Sequence, residues 1–186
     1  LRWFCGVPLL FNPLILLDVF TASVIVWLVT VLVMVGAQMF FAADSKPLTG
    51  AVFTAAGIYG GYCAALLWGL FIGVSVLFYP KGYGMLFRFE ENGIFMESFR
   101  VGRYSAGSVL SCRAFPLPPQ NEHTKSVCRD VDWSDVKGCE EMESLRVLRL
   151  KSRFGTIARV YCPDDETYTA AREFVERELK SLCRKI

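Results

Sequence analysis

The chain has 186 residues, 53% of them hydrophobic, and its 20 Lys and Arg against 18 Asp and Glu give a formal net charge of +2. Soluble domains usually contain about 45–50% apolar residues, so this chain is more apolar than one small core requires. Nucleic-acid-binding proteins carry a concentrated basic patch. The net charge of this chain is small and both signs are mixed along it, so the sequence does not indicate such a patch. We therefore expect no nucleic-acid partner.

The first 80 residues predict a transmembrane hairpin. Charged residues are absent over 19–43 and over 47–80, and about 20 apolar residues are enough to cross a bilayer core. The first helix is predicted at about 19–41, and the short polar loop at 44–47 makes the two helices antiparallel. A buried hairpin of a soluble protein and a cleaved signal peptide are the alternatives, and two long uncharged segments fit both poorly.

The distribution of charge sets the domain boundaries and the orientation. The predicted parts are an interfacial segment at 1–18, a two-helix transmembrane hairpin at 19–80 and a cytoplasmic domain at 83–186. Lys and Arg are enriched at the cytoplasmic ends of spans. Arg2, Lys81 and Arg88 flank the hairpin, whereas its loop contains only Lys46. Both termini are therefore expected in the cytoplasm.

One face of the second predicted helix has a small side chain at every fourth residue. This glycine stripe consists of Gly57, Gly61, Ala65, Gly69 and Gly73. Such a stripe lets another helix backbone approach closely. The sequence leaves two alternatives for the helix that packs against this stripe: the first helix of the same chain, or a helix from another molecule.

The remaining sequence predicts antiparallel strands followed by one helix. Alternating hydrophobicity and the turn signal Asn92-Gly93 place strands at 86–90, 94–97, 101–112, 131–133, 136–141, 145–150 and 156–161. An exposed Pro-rich loop is expected at 114–125, and apolar residues recur with a helical period after Pro163. The fold class is a membrane α-hairpin plus an α+β domain, a small antiparallel pleckstrin-homology-like barrel closed by a C-terminal helix. This domain is expected to fold when expressed alone from about Tyr83.

Four short segments resemble the YcxB-like group of bacterial membrane proteins. They are Asn12-Pro13-Leu14, Phe89-Glu90-Glu91-Asn92-Gly93-Ile94, Trp133-Ser134-Asp135-Val136 and Arg159-Val160-Tyr161-Cys162-Pro163. The chain departs from the group at Asp132, where a proline is expected, and in its longer Pro-rich loop. The resemblance implies a transmembrane hairpin joined to a pleckstrin-homology-like domain in the bacterial inner membrane. It implies no catalytic residue.

The seven cysteines are spread along the chain without a Cys-x-x-Cys pair, and a cytoplasmic domain is expected to keep its thiols reduced. A zinc site or thiol enzyme using Cys112, His123, Cys128 and Cys139 is an alternative that the wide spacing disfavours. We expect neither a metal ion nor an organic cofactor.

Four basic residues near the second span, Lys81, Arg88, Arg100 and Arg103, form a candidate site for anionic lipid headgroups. Each such charge contributes about 1 kcal/mol near a membrane surface, although a solvated strand surface explains them equally well. The sequence favours a non-enzymatic, membrane-anchored accessory or interaction subunit of a larger membrane assembly. Its expected partners are membrane lipids and an integral membrane protein or a second copy of the chain. A lipid-headgroup sensor is the alternative function, and a thiol or zinc enzyme is the second alternative.

Overall fold

The structure is a computed structural model that describes residues 1–41, 50–79, 82–100, 112–118 and 126–183. The helices are α1 (Pro13–Phe41), α2 (Gly50–Phe78) and α3 (Asp165–Cys183). The strands are β1 (Arg2–Val7), β2 (Tyr83–Phe89), β3 (Gly93–Arg100), β4 (Phe115–Pro116), β5 (Ser126–Asp132), β6 (Gly138–Met142), β7 (Val147–Ser152) and β8 (Gly155–Tyr161). The chain divides into two compact units, a helical unit at 13–78 and a second unit that joins 1–12 to 79–186.

The opening segment is a β-strand, so the predicted interfacial segment at 1–18 is wrong. β1 is in antiparallel register with β2, from Arg2 opposite Arg88 to Val7 opposite Tyr83. Trp3, Cys5 and Val7 on one face of β1 are buried, and on the other face Gly6 is also buried. Side chains that alternate between two faces are typical of a strand, and α1 already begins at Pro13.

The described strands form two antiparallel sheets. The first has the order β4-β1-β2-β3-β5, and the second has the order β6-β7-β8. The whole α1–α2 hairpin is inserted between the paired strands β1 and β2. The antiparallel sheets and the C-terminal helix confirm the α+β prediction. The two sheets are not closed into one barrel, and barrel closure stays a prediction.

Local turn signals located two strand pairs correctly. β2 and β3 meet at Asn92-Gly93, and β7 and β8 meet at the predicted turn near Gly155. β5 begins at Ser126, earlier than predicted, and a 3-10 turn at Trp133–Asp135 separates it from β6. The loop at 44–47 and most of the predicted strand at 101–112 lie outside the described residues.

The described part of the Pro-rich loop is buried in part, although the sequence predicts that it is exposed: Ala114, Phe115 and Leu117 are buried, and the two prolines are exposed. Phe115 pairs with Gly6 of β1, and Phe99 of β3 pairs with Gly84 of β2. Each glycine leaves room for the ring beside it, because a Cβ atom at either position would collide with that ring. These rings form a buried cluster outside the main core with Leu86 and Leu117. The loop is buried here because it covers apolar side chains on the outer face of the first sheet.

An aromatic cluster connects the first sheet to α3. The rings of Trp3 and Phe87 stack with their centroids 5.4 Å apart. Phe89 contacts the edge of Trp133, with 5.9 Å between centroids, and Phe174 of α3 lies 5.4 Å from Phe89. The amphipathic face predicted for the C-terminal helix therefore packs on the residues that β1, β2 and the 3-10 turn bring together.

Two hydrogen-bonded contacts hold the second sheet in this unit. The indole Nε1 of Trp3 donates to the carbonyl oxygen of Tyr161 at 2.9 Å, and both groups are buried. Arg146, just before β7, donates through Nε to Asp165 at 2.6 Å and through Nη2 to its second carboxylate oxygen at 2.8 Å. Asp164 accepts a 2.7 Å bond from a backbone N–H in the first turn of α3. This N-cap fixes where the helix begins.

Candidate functional site

The two long helices have a well-defined contact with each other. The indole Nε1 of Trp27 on α1 donates to the carbonyl oxygen of Gly57 on α2 at 3.1 Å. Gly60 is buried beneath the same ring, and a Cβ atom there would lie 2.7 Å from Cδ1 of Trp27. Ala56 and Ser75 are also buried on α2. The face of α2 that meets α1 therefore contains Ala56 and Gly60.

The glycine stripe lies on a different part of α2. A Cβ atom on Gly57, Gly61, Gly69 or Gly73 would meet no described heavy atom within 4 Å, and Ala65 is exposed. The stripe therefore does not pack against the described part of α1, apart from the carbonyl of Gly57. Packing of the stripe against the first helix or against another molecule stays a prediction.

Of the predicted headgroup residues, the structure describes the positions of Arg88 and Arg100. Arg100 is in register with Tyr83, whereas Arg88 is opposite Phe95. At about 3.3 Å per residue, the two arginine positions are roughly 17 Å apart along the strands. Nε of Arg88 lies 2.6 Å from Oε1 of Glu90, and its guanidinium lies 4.7 Å from the ring centroid of Phe95. Lys81 and Arg103 lie outside the described residues.

The cysteine thiols occupy contrasting environments. Cys5 and Cys162 are fully buried, whereas Cys112 and Cys128 are exposed. Burial raises the pKa of the Cys162 thiol to about 12, and burial with nearby glutamates raises the pKa of Cys139 to about 11. Such thiols stay protonated at neutral pH and are poor nucleophiles. Within the described ranges no three His, Cys, Asp or Glu residues form a group that could hold a metal ion, and His123 lies outside those ranges.

A basic group that sequence reasoning missed lies on the second sheet. Arg149 of β7 is directly opposite Glu140 of β6 on one side and Arg159 of β8 on the other. Glu140 accepts from Arg149 Nη1 at 3.1 Å and from Lys151 Nζ at 3.0 Å through the same oxygen, Oε2. Its pKa is lowered, chiefly by the bond from Lys151. The four residues share one face of the sheet, which we call the β7–β8 basic face.

Tyr83, the first residue of β2, lies near the β7–β8 basic face. Burial raises the pKa of its hydroxyl far above the usual value, and the charge of Arg159 opposes that shift. Tyr83 also shares a side-chain hydrogen bond with Tyr161 of β8. Arg159 of the basic face therefore lies close to the start of β2.

Comparison with known proteins gives no match. No protein-family profile matches the chain, and neither a curated protein nor a solved structure is significantly similar to it. The YcxB-like resemblance therefore stays a prediction.

Proposed function

We propose that this chain is a non-enzymatic, membrane-anchored interaction subunit in which α1 and α2 cross the membrane as a hairpin. Both helices are long and apolar enough to cross a bilayer, at about 1.5 Å per residue. Few of their residues are buried, unlike those of a core helix in a soluble protein. Contiguous exposed apolar surface of this kind suits contact with lipid or with another protein.

The observation that carries this proposal is the insertion of the hairpin between the paired strands β1 and β2. Val7 is opposite Tyr83, so the chain enters α1 and returns from α2 at the same end of this strand pair. A helix that crosses the membrane once and does not return could not satisfy this pairing. Both ends of the hairpin then lie on the same side of the membrane, and the Lys/Arg bias of the flanks favours the cytoplasm.

Impermeant thiol reagents can test the orientation, because Cys112 and Cys128 are exposed in the structure. In intact cells neither thiol should react, and both should react after permeabilisation. Labelling of the detergent-solubilised protein is the control that shows both thiols are reachable. Reaction of either residue in intact, unpermeabilised cells would place the domain outside and overturn the orientation.

The glycine stripe is the surface that we assign to interaction with a partner in the membrane. Without a hydrophobic driving force between helices in lipid, close backbone contact at small residues supports association. The double variant Gly61→Leu/Gly69→Leu should insert and keep its hairpin, because both positions face open space. It should lose the partner, or its own oligomer, on purification in mild detergent.

A matched control makes the same Gly→Leu change elsewhere on the hairpin. Gly36→Leu on α1, where a Cβ atom also meets no described heavy atom within 4 Å, should leave copurification unchanged. If the glycine variant retains every assembly that the parent forms, the stripe has no interaction role. The alternative function based on Arg88 and Arg100 is not favoured, because the structure separates these two positions.

A further inference from the structure

The turn between β2 and β3 holds Trp133 through two hydrogen bonds. The backbone N–H of Trp133 donates to the carbonyl oxygen of Asn92 at 3.3 Å. Its indole Nε1 donates to the carbonyl oxygen of Glu90 at 3.0 Å. Trp133 is only 3% exposed, and its ring contacts those of Phe89 and Phe174. The position of this buried ring therefore depends on the backbone geometry of a turn at the surface.

The side chain in the middle of this turn is open to reaction. Asn92 is exposed, and within the described residues its side-chain amide has no hydrogen-bond partner. The backbone nitrogen that follows an asparagine can attack Cγ of its side chain and close a five-membered ring. The side chain of the following residue usually hinders this attack, but here that residue is Gly93, which has no Cβ.

The structure also explains why glycine is required beside Asn92. A Cβ atom on Gly93 would lie 2.5 Å from the carbonyl oxygen of Val131, and Val131 belongs to the neighbouring strand β5. The close approach of β3 and β5 therefore excludes a larger residue at position 93. The exposed asparagine keeps the neighbour that hinders ring closure least.

We propose that Asn92 is a site of spontaneous deamidation, and that its isoaspartyl product releases Trp133. The nitrogen of Gly93 gives up its proton to a base and bonds to Cγ of Asn92, while the C–N bond of the side-chain amide breaks and ammonia leaves. Water then opens the resulting succinimide. Opening at the backbone carbonyl carbon gives isoaspartate, and opening at Cγ gives aspartate. Neither step requires an oxidant, a reductant or a further reactant besides water.

The isoaspartyl product changes the length of the turn. Its backbone runs through Cβ, which adds one methylene group and about 1.5 Å. The former backbone carbonyl, which accepts from Trp133, becomes a carboxylate outside the main chain. That hydrogen bond is already 3.3 Å long, beyond the usual range of about 2.7–3.2 Å, so a displacement of this size breaks it. The aspartyl product adds a negative charge but leaves the backbone length unchanged.

The first test follows the reaction in the full chain in phosphatidylcholine nanodiscs. Peptide mass spectrometry should show conversion of the amide to a carboxyl group at Asn92. Conversion should be faster in mildly alkaline than in mildly acidic buffer, because the attacking nitrogen must lose its proton. Labelling by an isoaspartyl methyltransferase should then detect isoaspartate in the same peptide.

The other two asparagines are internal controls. Asn12 precedes Pro13, and Asn121 precedes Glu122. The proline nitrogen has no proton to lose, and the side chain of Glu122 hinders the attack. Both residues should remain unconverted when half of Asn92 has reacted. Conversion of Asn121 as fast as Asn92, or no conversion of Asn92 in alkaline buffer, would overturn the proposed site.

The second test follows the release of Trp133. The isoaspartyl form should show a shifted indole N–H resonance of Trp133 and a lower melting temperature than the parent. Freshly prepared Asn92→Asp has the added charge without the added methylene group, and should keep the resonance and the melting temperature of the parent. Isoaspartate at position 92 with an unshifted Trp133 resonance would show that the turn does not hold this ring.

Asn92→Gln is the matched variant for the chemistry. It keeps a side-chain amide at this position, but its longer side chain would have to close a six-membered ring. Its peptide should therefore keep its mass while the parent converts, and equal conversion of the two would refute the succinimide route. If this variant does not fold, the comparison of Asn92 with Asn12 and Asn121 in the parent chain still decides where deamidation occurs.

Discussion

Removal of β1 should unfold the domain that contains β2 to β8 and α3. β1 is an inner strand of the first sheet, between β4 and β2, and it is separated from the rest of the domain by the hairpin. A chain that begins at Tyr83 lacks this strand. We therefore expect it to be unfolded, in contrast to the independent folding that the sequence predicts.

The size of the effect follows from the side chains that β1 buries. Trp3 is 8% exposed and Val7 is fully buried. Truncation of a buried Trp to Ala costs about 3–5 kcal/mol, and burial of a Val side chain contributes about 1.5–3 kcal/mol. Their combined loss, roughly 5–8 kcal/mol, is comparable with the total stability of about 5–15 kcal/mol of an ordinary domain.

The assay compares two soluble chains. One contains residues 83–186 alone. The other joins residues 1–7 to residues 83–186 through Asn-Gly, because Val7 is directly opposite Tyr83 and a two-residue turn connects such a pair. The joined chain should give a dispersed amide spectrum and a cooperative urea transition, whereas the shorter chain should give neither.

A point variant calibrates the comparison. Trp3→Ala in the joined chain should lower the free energy of unfolding by about 3–5 kcal/mol, because the ring stacks on Phe87 and its indole bonds to Tyr161. If residues 83–186 alone unfold with the same urea midpoint as the joined chain, β1 contributes nothing to the core and this reasoning fails.

Three further outcomes test the packing and the charges. Gly60→Leu should weaken the helical hairpin in a detergent-unfolding assay, whereas Gly61→Leu should not. Only a Cβ atom on Gly60 would collide with the indole ring of Trp27 on α1. Gly84→Val should destabilise the domain by several degrees in a thermal melt, and Gly138→Val, on a strand with open space at this position, should be tolerated. The pKa of Asp165 is lowered, chiefly by its hydrogen bond with the Arg146 guanidinium. The contribution of Asp165 to stability is therefore fully present above its pKa in the unfolded chain, about 3.9, and is lost as pH falls through its lower pKa in the folded chain. Asp165→Asn should therefore flatten the acid limb of the stability curve between about pH 5 and 2, and an unchanged limb would show that this ion pair does not contribute.

Features that depend on neighbouring residues could be predicted from the sequence. Asn92-Gly93 marks a tight turn by its own conformational preference, and the structure has β2 and β3 paired around it. The C-terminal helix was also located, because its apolar period and its acidic first turn are local signals. The two long apolar helices followed from the absence of charge over many residues.

Features that depend on pairing between distant segments of the chain could not be predicted from the sequence. The alternation of Trp3, Cys5 and Val7 is a strand signal, but the partner strand lies beyond the whole hairpin and cannot be identified from β1 itself. The stripe at Gly57 and Gly61 and the neighbouring small residues Ala56 and Gly60 are equally suited to close packing. Only the position of Trp27 decides which set meets α1.

The β7–β8 basic face was missed for a related reason. The sequence shows Arg149 and Arg159 in two strands of one predicted hairpin, but their pairing depends on the register. An irregularity between Leu150 and Lys151 shifts that register by one residue. A one-residue shift exchanges the two faces of a strand, so counting back from the turn alone would place the two arginines on opposite faces.

The insertion of the helices between β1 and β2 has a consequence for biogenesis. β1 leaves the ribosome before either helix, and its partner strand leaves after both, so the first sheet cannot be completed until the hairpin has been made. Closure of an unstructured loop becomes less favourable as the loop lengthens. Here the two antiparallel helices, which pack at Trp27 and Gly60, bring the two ends of the hairpin together, so that β1 and β2 can pair. Completion of the sheet thus depends on formation of the hairpin. A chain in which α1 and α2 fail to pack would carry an unpaired, apolar β2 edge, the kind of surface that promotes aggregation.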